Sequence, residues 1–120
     1  MDYKSLYGSY LKSIKTLKAE LEMFRKSENI DMEDGMHIIF GMVVLPFMLK
    51  NLNNAGFLSQ SFDFFEEMFE CEDRLVQEVL DFTILEGIAD QNEETRKSLK
   101  SFMRSNTLIS FEKICNSMCG

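Results

Sequence analysis

The stretch YKSLYGSYLKSIKTLKAELEMF, residues 3–24, decides the fold class. Tyr3, Tyr7, Tyr10, Ile14, Leu17, Leu21 and Phe24 recur at alternating steps of four and three, and Leu6 and Leu11 widen the stripe. That period lines them along one side of a helix, with Lys4, Lys12, Lys15 and Lys18 left on the solvated side. Asp2 stands where an N-cap belongs. Three heptads of such a stripe also satisfy a coiled coil. The segment therefore predicts either a helix packed on its own domain or a homodimer through the Tyr3–Phe24 helix.

Working outward, residues 27–35 are polar and end this helix, and Met36 to Leu49 is almost wholly apolar. Fourteen residues fall short of the roughly 20 that a membrane span needs. The stretch reads as a buried central helix kinked at Pro46, where a backbone donor is missing. Asn53, Asn54, Ala55 and Gly56 supply its stop, with Gly56 suited to a left-handed C-terminal residue. Leu58, Phe62, Phe65 and Phe69 mark the next helix, and Cys71-Glu72-Asp73 forms a turn with Asp73 as cap. A helix then runs to about Ala89. Residues 90–94 open another, with its acids at the positive end and Leu99, Phe102 and Met103 on its buried side. Leu108, Phe111, Cys115 and Met118 define a last one. No strand-like alternation and no repeat occurs. The expectation is an all-α single domain over residues 1–120 with five to six packed helices.

The charge is unevenly distributed. The net charge is −7 and the sequence pI about 4.7. Residues 1–26 hold six Lys/Arg against three acids, and residues 95–120 hold five against Glu112 alone. Residues 27–94 hold sixteen acids against only Lys50 and Arg74. Such a surface repels phosphate backbones and anionic lipid, which argues against direct nucleic-acid or membrane binding. Either the basic ends fold back over the middle, or the middle is a docking face for a cationic partner.

Catalytic constellations are missing. His37 is the single histidine, so paired-histidine metal sites and nucleophile relays cannot be assembled. A partly buried, hydrogen-bonded imidazole is its expected state. Cys71, Cys115 and Cys119 lack the close pairing of a zinc site, and their odd number cannot form a closed disulfide framework within one chain. The run from Asn29 to Gly35 imitates a calcium loop, but the glycine falls one place late and Phe40 stands where the bidentate Glu belongs. No phosphate loop, nucleophile elbow, kinase or deaminase signature occurs. No cofactor is expected. Gly41 reads as a point of close helix packing. The N-terminus has no apolar signal region, which points to a cytoplasmic, reducing compartment.

Glu86 breaks the helical wheel of residues 74–88. Arg74, Gln77, Glu78 and Asp81 share its polar side, whereas Glu86 falls among Leu75, Val79, Thr83 and Ile84. A carboxylate there calls for a partner: a buried or half-buried ion pair or a helix N-terminus is expected, with a partner-anchoring or functional acid as the alternative.

Residues 65–89, FEEMFECEDRLVQEVLDFTILEGIA, resemble the small all-helical immunity proteins of bacterial contact-dependent growth inhibition and other polymorphic toxin systems. The resemblance covers about a fifth of the chain. It implies a non-enzymatic protein that binds one cognate toxin domain, often a basic nuclease, and blocks its active site. It sets Glu66, Glu67, Glu70, Glu72 and Asp73 along a toxin-facing edge, with Val76, Val79, Leu80, Thr83 and Leu85 mainly as scaffold. Asp90, Glu93 and Glu94 extend the candidate partner-binding set. Two alternatives stand beside it: an acidic antagonist such as a phage-encoded DNA mimic, and a self-associating helical regulatory module.

Overall fold

The computed structural model describes residues 1–119, with the side chains of residues 1–118. All-α is what the chain forms: seven helices and no strand among the described residues, around one continuous apolar core. Seven replaces the five to six expected, because the N-terminal stripe is two helices, α1 (Leu6–Ser13) and α2 (Lys18–Ser27).

The break at residues 14–17 keeps both halves of the stripe inside. Leu17 adopts φ 63°, a left-handed conformation that costs a non-glycine residue about 1–2 kcal/mol. Gln60 offsets this by accepting the Lys15 and Thr16 amides at 2.8 and 3.1 Å and donating to the Thr16 hydroxyl. Tyr7, Tyr10, Ile14 and Leu21 are all buried as a result. The stripe expected to form one helix over Tyr3–Phe24 is divided between two, and its Tyr7, Tyr10, Ile14 and Leu21 are taken up by the chain's own core.

A network locks α2 down. Glu22 receives Arg25 at 2.8 and 3.0 Å and the Tyr7 hydroxyl at 2.7 Å, while Arg25 also donates to the Ile30 carbonyl. Arg25 thereby holds the Glu22 carboxyl below its ordinary range. Asn29, at φ 57°, ends α2: its amide returns to Lys26, and the Ile30 amide reaches Arg25.

Helix α3 spans residues 36–50 and continues through Pro46. The proline lies at the head of a regular segment, and the five residues Phe40–Val44 before it are wound as a π-helix. The Leu45 amide there reaches back five residues to the Phe40 carbonyl. A wider turn relieves the clash that a proline ring makes with the carbonyl four residues earlier. Asn51 ends α3, and the Asn54 side chain caps α4 (Ala55–Glu70) by accepting the Phe57 amide. Gly56 thus lies in the first turn of α4 rather than closing α3, because the cap is Asn54.

Helix α5 spans residues 74–89 and carries a second π segment, Val79–Leu85. Asp73 caps it by accepting the Leu75 amide, as expected. Helix α6 (Glu93–Lys100) is capped by Asn92, and α7 (Ser105–Cys119) closes the chain. Tyr10 sits at the heart of the core, its ring 5.4–6.1 Å from those of Phe40, Phe64 and Phe65 and its hydroxyl 2.7 Å from Ser61 Oγ. Helices α3 and α5 run side by side. Gly41 permits the approach, since a Cβ there would stand 3.1 Å from Thr83 Cγ2.

Candidate interaction surface

The eight candidate partner-binding carboxylates divide into three groups. Glu66 and Asp73 belong to the fold. Glu66 accepts the Asn106 and Thr107 amides at 3.2 and 3.0 Å and the Thr107 hydroxyl at 2.8 Å, so it caps the N-terminus of α7. Burial raises the cost of its charge, but the Thr107 and Asn106 bonds outweigh it and hold the carboxyl below its ordinary range. Asp73 accepts the Tyr3 amide at 2.9 Å besides capping α5, and so ties down the N-terminal segment. Neither is a free contact residue. Sequence spacing placed them beside true surface acids because a capping carboxylate and a solvated one look alike in a string of letters.

Glu67, Glu70 and Glu72 form the second group. All three are exposed at the α4–α5 corner, and Glu67 and Glu70 share a shallow concavity with Met1 and Cys71. Asp90, Glu93 and Glu94 are the third, exposed where α5 gives way to α6. Glu93 and Glu94 stand in the first turn of α6, where the helix dipole favours them. Lys97, also exposed, shares a concavity with Glu93 and Glu94, so this group has mixed charge nearby. The corner and this group lie at opposite ends of α5, roughly 20–25 Å apart at the usual helical rise. They are not one contiguous edge.

The basic ends do little to cover these acids. Among the described residues three ion pairs form: Arg25 with Glu22, Lys100 with Glu112 and Arg104 with Asp63. Only the last reaches from a basic end to the acidic middle, at 2.9 Å between two half-exposed side chains. Glu67, Glu70, Glu72, Asp90, Glu93 and Glu94 have no Lys or Arg nitrogen within 4.0 Å.

Glu86 also departs from expectation. It is half-buried, with neither an ion pair nor a helix N-terminus to receive it. Burial and the nearby Glu86 charge together raise the Asp81 carboxyl above its ordinary range. His37 is hydrogen-bonded through Nδ1 to Thr83 Oγ1, but it is exposed rather than partly buried. Among the described residues no cluster of three His, Cys, Asp or Glu is placed to hold a metal, and no helix is long and apolar enough to cross a membrane. The Cys119 side chain lies outside the described residues.

The sequence placed no individual residue of the apolar surface. Ile38, Met42, Leu75 and Phe82 are 43%, 58%, 51% and 61% exposed. The signal for Phe82 was present: it stands four residues after Glu78 and eight after Arg74, on the polar stripe of α5. Ile38 and Met42 left no such signal, because residues 36–49 have no polar face to fix their phase.

Comparison with curated proteins and with solved structures returns no match. A family model does match residues 9–119, nearly the whole chain. The chain belongs to the DUF7674 family, a domain of unknown function.

Proposed function

We propose that this protein is a non-enzymatic, cytoplasmic immunity protein that binds a cognate toxin domain, a basic nuclease, and neutralises it without a cofactor. The observation that carries the reading is the uncovered acid of the α4–α5 corner, where Glu67, Glu70 and Glu72 stand exposed with no cation within 4.0 Å among the described residues. Leaving like charges crowded has an electrostatic cost that folding alone gives no reason to keep. A cationic partner removes it, and the field of the corner speeds capture of that partner. Glu66 and Asp73 support the same surface indirectly, by fixing the two ends of the corner to α7 and to the N-terminal segment.

The test is co-expression with the C-terminal domain of a secreted toxin encoded next to the protein. Protection by the native chain, lost in the folded triple variant Glu67→Lys, Glu70→Lys, Glu72→Lys, is the expected result. Full protection by that variant, or no protection by the native chain, overturns the reading.

A further inference from the structure

Helices α3 and α5 run in the same direction: His37 and Gly41 meet Thr83, and Leu45 packs on Gly87 one turn further along. Both turn their buried residues to one side, Phe40 and Val44 from α3 and Leu80 and Ile84 from α5. The opposite side of the pair therefore faces solvent as one surface, and on it stand Ile38 and Met42, one turn apart, and Phe82. Glu78 and Glu86, each one turn from Phe82, flank this apolar centre on α5, and Asp34 lies just ahead of α3. Among the described residues none of the three has a Lys or Arg nitrogen within 4.0 Å. Met42 and Phe82 also fall in the two π segments, a winding that recurs at functional positions in helices.

We infer that this seam is the anchor of the partner interface and takes an amphipathic cationic segment, its aliphatic side chains on Ile38, Met42 and Phe82 and its Lys or Arg on Asp34, Glu78 and Glu86. A second copy of the chain is a poor occupant, because a two-fold pairing over the seam would set carboxylate rim against carboxylate rim. Arg74, two turns before Phe82, is the one cation on that side of α5, and the rim stays negative with it counted. The inference rests on the proposed function for the identity of the partner, but not for the chemistry of the seam.

The experiment uses the full chain with methyl-labelled methionine and two synthetic probes of equal charge: an 18-residue Leu/Lys amphipathic helix and a Lys/Ser peptide. The Leu/Lys probe is expected to shift the Met42 methyl and leave the buried Met48 and Met68 methyls in place. Phe82→Ala should weaken it about tenfold or more, as truncation of an aromatic anchor does. Ile38→Ser, read at Met42, provides a second variant should the first be unstable. The Lys/Ser probe should leave Met42 unmoved. An unshifted Met42 with the Leu/Lys probe, or equal affinity in native and variant chains, overturns the seam. Toxin protection kept in Phe82→Ala but lost in the triple lysine variant removes the seam and keeps the proposed function. Probe binding at Met42 by a chain that protects against no toxin does the reverse.

Discussion

The α4–α5 corner and the α3–α5 seam are both negative, yet they are built differently. At the corner the carboxylates of Glu67, Glu70 and Glu72 stand in water. At the seam Glu78 and Glu86 are half-buried and Asp34 exposed around the exposed Ile38, Met42 and Phe82. Two charges in water attract by only about 1 kcal/mol at 4 Å and are screened beyond roughly 8 Å at physiological salt. Such a corner steers an encounter more than it holds a complex. Apolar area removed from water contributes residence. The contrast assigns capture to the corner and retention to the seam.

The largest effect that would break this division comes from Phe82→Ala. Dissociation of the cognate toxin domain should accelerate by an amount equivalent to about 2 kcal/mol with association unchanged, measured by stopped-flow or surface kinetics. A change confined to association would exchange the two roles.

The next effect separates acids that build the fold from acids that face the partner. Glu66→Ala strands the Asn106 and Thr107 amides and should cost about 1–2 kcal/mol in denaturant unfolding. Glu67→Ala, one residue along, should stay within about 0.5 kcal/mol. Because Glu66 titrates below its ordinary 4.5 when folded, its contribution is present above that pH and is lost as pH falls through the lower folded value. Glu66→Gln should flatten that acid-side decline. Asp81 has the opposite sign, since its raised carboxyl makes ionisation costly as pH rises. Asp81→Asn should therefore be no less stable than the native chain at neutral pH.

The smallest expected effect is Arg104→Ala. Its pair with Asp63 is solvent-exposed and should contribute under about 0.5 kcal/mol. A larger loss would show that the basic C-terminal segment covers the acidic middle after all, and would weaken the contrast at its base.

Much of the fold was legible because periodicity survives wherever a helix has both a wet and a dry side. The aromatic stripe of residues 3–24 and the Asp73 cap are of this kind. The break at Leu17 was not legible, since the four intervening residues preserve the stripe's phase and Gln60, the residue that holds the break, lies 43 positions away from Leu17. Pro46 advertised a disturbance, but not that π winding would absorb it. At the surface, charge could be counted but not apportioned. Whether Glu66 faces a partner or the Thr107 amide depends on a contact 41 residues distant.

The most direct test is the ionic-strength dependence of association with the toxin domain, native chain against the Glu67→Lys, Glu70→Lys, Glu72→Lys variant. The native rate should fall steeply with salt, while the variant should associate about tenfold more slowly at low salt and lose that steepness. Equal rates with equal salt dependence in two equally folded chains would contradict the account.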